Sequence, residues 1–481
     1  MTDRSGGTEA KRRGCNGSSG IHMSAGGERA GGAAPLPVLI VGGGVTGLSA
    51  AWELQQRGIS YVLFEAGDFF GGKVQTEHTD DGFLVEKAAD AFILGKPWAA
   101  ELAREVGLES EFIHPREETK KLYFLRGDEL LDFPPNMKMF VPLDDESFLR
   151  SGVLSPEGLR RFLAEQDVPP RPDTGEDESL AAFVIRRFGE EALDFIVPLA
   201  AGIYVANPYE LSMKAAFPQF LALEQKYGSV IRGSRATPRA EGPIFMSFGG
   251  GMGTFAAAVA AKLTGELRLN TPVLRVHPGG VTLAGGEQVR GSGVIVTVPA
   301  WYAAPMLRLD FPQASAEVGA LRANGSVAIV LAYRAEQFPR DMALHGLQVS
   351  ADAETQARTR MKAITVHSAK LRGRAPDGHV LLRVFFGDIE PGQARAEAVR
   401  EIERLFGVQG EPLWHSYADW RGKNPAYQVG HLDHVARIRT ALPPQVRVAG
   451  ASYTGVGLPD CVNAGRTAAR EVVGASLTPT A

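Results

Sequence analysis

The 481-residue sequence predicts an α/β fold with an added α+β portion, on three observations. An apolar run near the start, Val38-Leu39-Ile40-Val41, meets the glycine-rich stretch Gly42-Gly43-Gly44-Val45-Thr46-Gly47 and then an Ala-rich amphipathic run to Arg57. A second run near the end, Val446-Arg447-Val448-Ala449-Gly450, leads to Gly455-Val456-Gly457 and another helical stretch. Between them, residues from about 325 to 390 alternate apolar and polar side chains in several runs.

Val38 to Val41 is apolar on both faces, as a parallel strand buried between layers requires. Gly42 lets the chain turn, Gly44 lets the backbone approach a pyrophosphate, and Gly47 allows close helix–strand packing. Leu48 to Arg57 reads as the crossover helix, whose N-terminal amides and dipole favour phosphate. Tyr61 to Phe64 reads as the second strand. Glu65 closes it, where a carboxylate accepts hydrogen bonds from ribose hydroxyls. Strand, glycines, helix and acid together predict a dinucleotide site. A glycine turn in an unliganded α/β unit is the plainer alternative.

Further along, Gly71-Gly72-Lys73 forms a paired-glycine turn before a short strand at Phe83-Leu84-Val85 that ends in Glu86. Trp98 to Phe112 has helical periodicity, and Lys121 to Phe133 alternates around Arg126-Gly127-Asp128 as a hairpin does. Residues 166 to 178 are proline-rich and acidic, a solvated connection. Ser179 caps helical patterning that continues to about Ala201, and a further helix runs from Phe217 to Tyr227. Phe248-Gly249-Gly250-Gly251-Met252-Gly253 precedes a helix over Thr254–Leu263, with a strand over Leu267–Val276. Gly293 to Val298 is a buried strand stopped by Pro299. Ser326 to Tyr333, Met361 to His367 and His379 to Phe386 predict an antiparallel sheet. Pro459 suits the first turn of a last helix reaching Val473. The amides of Gly455 to Leu458 are therefore expected to point outward from a helix N-terminus.

Composition excludes several classes. A formal charge of −4 exerts no general pull on nucleic acid or anionic lipid. No apolar stretch is long enough to predict a transmembrane helix. Only Cys15 and Cys461 occur, so a disulfide framework is ruled out and a reducing cytosol is the expected compartment. Residues 1–35 hold scarcely a large apolar side chain and predict a disordered tail without the apolar core of a secretory signal. A start at Met23 is compatible with this. No metal site is expected: His431 and His434 share a helical spacing, but no third ligand cluster accompanies them. Cys461 reads as a small buried residue rather than an activated thiol, and Trp414, Tyr417 and Trp420, three apart, as a core stripe.

With these motifs in place the sequence resembles the flavin-containing amine-oxidase-like superfamily, and within it the protoporphyrinogen/coproporphyrinogen oxidases of haem synthesis. The likeness spans Pro37 to about Gly474. Its marks are Gly42 to Gly47 with Glu65, Gly71-Gly72-Lys73, Asp177-Glu178-Ser179-Leu180, Gly202-Ile203-Tyr204 with Leu211-Ser212, Phe217-Pro218 and Phe248-Gly249-Gly250. The most specific marks are Tyr427-Gln428-Val429-Gly430-His431 and Gly455-Val456-Gly457-Leu458-Pro459-Asp460-Cys461.

The resemblance implies noncovalent FAD and a division of the chain. Residues 36–90, 243–305 and 425–476 would form the Rossmann-like FAD-binding domain. Residues 91–242 would be a mainly helical segment on the substrate and membrane side, and 306–424 a mixed-sheet substrate domain. It also implies oxidation of a porphyrinogen to a porphyrin in two-electron rounds, with dioxygen reoxidising the flavin to give hydrogen peroxide. FAD contacts are carried to Gly42, Gly43, Gly44, Val45, Thr46, Gly47, Glu65, Gly71, Gly72, Lys73, Val273, Gly450, Gly455, Val456 and Gly457. No protein general base is nominated, because the flavin N5 is the hydride acceptor. A positive helix end at the N1–C2=O edge would favour the reduced ring. Lys121 and Arg126 are the candidate cations for substrate propionates.

Two departures from the family pattern stand out. Lys87-Ala88-Ala89 replaces a Gly-Pro turn after Glu86, and Ala206-Asn207 replaces Gly-Asp after Tyr204-Val205. Rival readings are an amine oxidase, a carotenoid-type desaturase, and a flavin-free binding protein like the prenyl-GTPase escort proteins. The aliphatic Val456 and Leu458 of the last turn suit a flat apolar substrate better than an amine. The choice between protoporphyrinogen IX and coproporphyrinogen III has no readable motif. Peripheral contact at the inner face of the cell membrane needs only an apolar patch, so a cytoplasmic and a peripherally attached enzyme both fit.

Overall fold

Strands from both ends of the chain meet in one five-stranded parallel sheet. Its strands are β1 (Val38–Val41), β2 (Tyr61–Phe64), β3 (Glu266–Arg268), β4 (Gly293–Val296) and β5 (Val446–Val448), in the order β3-β2-β1-β4-β5. The computed structural model describes residues 35–238 and 241–476, so the expected disordered tail lies outside them but for Pro35.

The sheet is apolar on both faces because both are covered. On one, Val38, Ile40 and Leu63 pack on α1 (Val45–Gln56) and α2 (Leu458–Ser476) through Leu48, Trp52, Val462 and Ala469. On the other, Leu39, Val41 and Phe64 pack on Val273, Val281, Leu307 and Ile438. The two helices cross at bare backbone: a Cβ on Gly465 would stand 2.1 Å from the Thr46 carbonyl oxygen.

A seven-stranded sheet lies apart from this one, in the order Trp414–Asp419, Val327–Arg334, His379–Phe386, Met361–Val366, Gly346–Val349, Leu122–Arg126, Glu129–Asp132. Neighbours are antiparallel except Gly346–Val349 beside Leu122–Arg126, which run parallel. One face presents Ile329, Leu331, Ile364, Leu382 and Val384 to the helix Pro391–Phe406. The opposite face is covered at two places. Val330, Ala332 and Leu381 meet Phe83 and Val85, while Phe124 enters a separate helical core with Phe148 and Phe195. Between those covers, Phe385, Ala363, Thr365 and Gln348 remain half-buried.

The helical core is pinned by Glu165, fully buried with Arg187 as its ion-pair partner. Glu165 also accepts from Ser229 Oγ and from the Val230 and Ile231 amides at 2.9 and 3.2 Å, capping the helix Val230–Ala236.

Several elements differ from the sequence expectation. The strand read over Leu267–Val276 is two: Asn270, at φ 52°, and Pro272 break it, so β3 joins the parallel sheet while Val273–His277 opens a three-stranded antiparallel sheet. The helix from Trp98 stops at Glu105, and Phe112–Ile113 is a strand paired with Phe245–Phe248. Ser179 caps as expected, but Gly189 at φ 96° divides the run into Leu180–Phe188 and Ala192–Ala201. Trp414 and Tyr417 lie on a strand, not a helix, so three-residue spacing puts them on opposite faces. The hairpin Leu122–Asp132 belongs to the seven-stranded sheet, although it falls within the segment expected to be mainly helical.

Gly465→Ala forces the α1–α2 crossing apart and is expected to lower stability by about 1–3 kcal/mol. Urea unfolding of the FAD-free protein checks this. An unchanged midpoint would mean the helices slide without cost.

Candidate functional site: a nucleotide groove closed by both chain ends

The site is assembled at the carboxyl end of the parallel sheet, where open α/β sheets bind ligands. Gly42 has φ 106°, and a Cβ there would strike Val298 and Thr297 at 2.8 and 2.9 Å. A Cβ on Gly47 would lie 1.9 Å from the Gly42 carbonyl, so this glycine serves helix–strand packing. Gly44 differs: its nearest neighbour would be Gly72 Cα at 4.0 Å, leaving room for a ligand beside the backbone. Gly43 is occupied in another way, since Phe70 sits where its side chain would be.

Glu65 is oriented by the backbone itself. Its carboxylate accepts from the amides of Gly43 and Gly67 at 2.6 and 2.8 Å, which leaves lone pairs for hydroxyl donors. The second glycine pair docks on the first: the Gly71 amide donates to the Gly43 carbonyl at 2.9 Å, and Gly71 bridges Gly44. Thr271 N donates to the Glu65 carbonyl at 2.8 Å, which brings buried Val273 to the same edge.

The far end of the chain completes the groove. A Cβ on Gly450 would meet Thr46 Oγ1 at 3.1 Å, so β5 exits beside the first turn of α1. The turn before α2 is held by a side chain absent from the sequence-level candidates: Tyr427 donates to the Ala451 carbonyl at 2.7 Å and accepts from Gly455 N at 2.6 Å. The Gly455 amide, expected to be a free donor, is therefore used internally. Val456, Gly457 and Leu458 are left as the candidate donors. Tyr427 stacks on His431 with ring centroids 4.0 Å apart, and His431 Nε2 reaches the Tyr453 carbonyl at 3.0 Å. His434 Nε2 lies 3.0 Å from a Glu317 oxygen, so the two histidines serve different neighbours.

Lys73 extends from the Gly71-Gly72 turn to the other sheet, donating to the Lys423 carbonyl and to Asn424 Oδ1 at 3.0 Å, over the Trp420 ring. Burial pushes its ammonium down to about 8. Burial pushes the Cys461 thiol up to about 11, which rules out an activated thiolate. Lys96 pairs with both Asp460 oxygens at 2.7 and 2.8 Å, placing a half-exposed cation at the start of α2.

Lys121 and Arg126 are not brought together. They flank the strand Leu122–Arg126 about 16 Å apart at the usual rise of a strand. Lys121 Nζ is 3.4 Å from Asp132 Oδ1, and Arg126 is 3.4 Å from Glu191 Oε1, so each already faces an acid.

A groove that is open at Gly44, acidic at Glu65 and closed by a second helix N-terminus defines a dinucleotide-binding α/β protein. Within that class, the chain belongs to the flavin-containing amine oxidoreductase family, whose model matches residues 45–473. It is 31% identical to coproporphyrinogen III oxidase of Propionibacterium freudenreichii over 92% of either chain. It is 29% identical to the Bacillus subtilis enzyme of that name, over 91% of this chain and 97% of the relative. Among solved structures, an Exiguobacterium protein provisionally described as a protoporphyrinogen oxidase superposes with a TM-score of 0.79 at 27% identity, covering 92% of this chain and 99% of that one. Putrescine oxidase superposes at 0.67 with 18% identity and shares the fold. The chain is thus a flavoenzyme with FAD as cofactor, and the space at Gly44 and the backbone-held Glu65 fit that group.

Tyr427→Phe removes both hydrogen bonds that hold the last turn and keeps the ring stack. FAD affinity is expected to fall about tenfold, the loss of one to two net hydrogen bonds, as read by flavin fluorescence titration. Glu65→Ala is expected to weaken FAD retention through gel filtration. Unchanged occupancy would place the ribose elsewhere.

Proposed function

We propose that this chain is an FAD-dependent porphyrinogen oxidase of haem synthesis, with coproporphyrinogen III as its first substrate and protoporphyrinogen IX as the second reading. Near full-length likeness to bacterial enzymes named coproporphyrinogen III oxidase supports the order of the two. The observation that carries the reading is the half-buried strip Phe385, Ala363, Thr365 and Gln348 on the inner face of the seven-stranded sheet. It combines an aromatic ring and a methyl group with two neutral polar side chains and carries no carboxylate. The edge strand of that sheet, Trp414–Asp419, continues into Trp420 and Asn424 beside Lys73.

When bound, FAD supplies a ring that accepts a hydride in each two-electron round. The chain's own contribution is binding, orientation and water exclusion. Gly44 and the amides starting α1 would take the pyrophosphate, Glu65 the ribose, and the amides of Val456, Gly457 and Leu458 the polar edge of the ring. Val456, packed against the helical core, would cover the ring with an aliphatic surface. The substrate gains aromatic conjugation, so no strong protein base is needed. Lys96, ion-paired with Asp460 as Lys121 and Arg126 are with their own acids, is a further candidate anchor for a substrate carboxylate, at the start of α2.

Dioxygen as terminal acceptor, with release of hydrogen peroxide, belongs to this proposal, as does action in the cytoplasm or at a membrane face. Among the described residues no helix is long and apolar enough to cross a membrane. For peripheral contact, Ile93, Ile244 and Phe245 form an exposed apolar group on paired strands.

Purified protein supplied aerobically with each porphyrinogen is expected to raise porphyrin fluorescence and peroxide above the spontaneous rate, faster with coproporphyrinogen III. No rise with either substrate removes the assignment.

A further inference from the structure

Arg383 is the one cation placed on the inner face of the strand His379–Phe386, at the line where the FAD-side strands stop covering the sheet. Its cross-strand partners, Val330 and Thr365, lie between the covered row at Leu381 and the half-buried row at Phe385. It is only 4% exposed, and its guanidinium lies 4.8 Å from the Phe385 ring centroid. Nη1 donates to the Ala88 carbonyl at 2.7 Å, while Nε has no hydrogen-bond partner. A buried guanidinium that hydrogen-bonds a neutral carbonyl and leaves a donor unused, with the field of the nearby Asp90 and Glu86 carboxylates offsetting only part of its burial, is an expensive way to fill space.

The segment it grips is the one whose sequence lacks a rigid turn. Lys87 to Asp90 carries no glycine or proline, so nothing local fixes its path. Tertiary bonds do so instead. Trp420 Nε1 donates to the Lys87 carbonyl at 2.8 Å, Lys370 Nζ donates to Asp90 Oδ2 at 2.7 Å, and Ser247 Oγ donates to the Asp90 carbonyl at 2.7 Å. Burial alone would raise the Asp90 carboxyl, but the Lys370 ammonium outweighs it and holds the group well below the usual carboxylate range. Trp420 also lies under Lys73, with the ammonium 5.0 Å from the ring centroid. The clamped segment and Lys73, which leaves the Gly71-Gly72 turn expected to contact the cofactor, therefore share one indole.

We propose that Arg383 is a positioning residue that locks the cofactor-side segment Lys87–Asp90 to the floor of the substrate cleft. Ring and floor are thereby held in one fixed relation. The proposal rests on the assignment of FAD to the groove, and its test can be read without porphyrinogen. Arg383→Met is expected to weaken FAD binding about tenfold, the cost of a lost hydrogen bond from a charged donor, and to shift the visible absorption bands of the bound flavin. Arg383→Lys, which keeps a cationic donor within reach of Ala88, restores most of both. In turnover, Arg383→Met lowers kcat more than it raises KM. A folded Arg383→Met protein with wild-type flavin affinity and spectrum overturns the proposal. If that variant does not fold, Trp420→Phe, which releases the Lys87 carbonyl from the same clamp, decides: a displaced flavin spectrum supports the proposal, and a wild-type spectrum overturns it. A wild-type protein that takes up no FAD overturns the cofactor assignment itself.

Discussion

Everything in this molecule hangs on the approach of α2 to the first turn of α1. Gly465 and Gly450 bring bare backbone against Thr46, and that contact lets residues more than 400 positions apart build one groove. Dispersion between the closely packed helices supplies much of the attraction, and Arg470 of α2 adds a two-pronged ion pair to Glu53 of α1 at 2.8 and 3.1 Å. The glycines are needed because a single methyl group would exceed the available gap. Once the helices are seated, β5 joins β4, and the turn at Gly455–Gly457 comes to rest beside Thr46 and Lys73.

A second layer of constraint comes from long side chains that pass from one sheet to the other. Arg374, fully buried, donates to the Gly249 and Phe248 carbonyls and to Ser247 Oγ at 3.0 to 3.2 Å. Lys73 crosses in the opposite direction to Asn424. These charged donors hydrogen-bond to neutral oxygens, and Arg374 also lies 3.5 Å from the buried Glu86 carboxylate, so they fix orientation more than they add stability. Their common effect is to prevent the cleft floor from sliding past the flavin side. Burial holds His367 well below its usual pKa, so it sits neutral among these cations.

The parallel strands, the glycine turns and Glu65 were legible because each is a local pattern with its own backbone requirement. The antiparallel runs at Val327–Arg334 and His379–Phe386 were legible for the same reason, through alternation. What stayed hidden depends on partners far apart in sequence. Tyr427 carried no sign that its hydroxyl would take the Gly455 amide, and nothing around Arg383 in the sequence shows that it reaches the Ala88 carbonyl. The break at Asn270 was missed because the apolar spacing on either side mimics one continuous strand. Lys121 and Arg126 are close in sequence, and that closeness does not report that each faces a different acid, Asp132 and Glu191.

The order in which the polypeptide is made has a consequence for maturation. β1, α1 and Glu65 leave the ribosome early, yet β5 and α2 emerge about 380 residues later. With synthesis at about 5–20 residues per second, the opening half of the groove waits tens of seconds for its counterpart. In that interval α1 comes to be covered by β1, β2 and the helix Gly253–Lys262, but the face that meets α2 is not. Enclosure of FAD by both halves of the groove therefore waits until α2 has been made and docked.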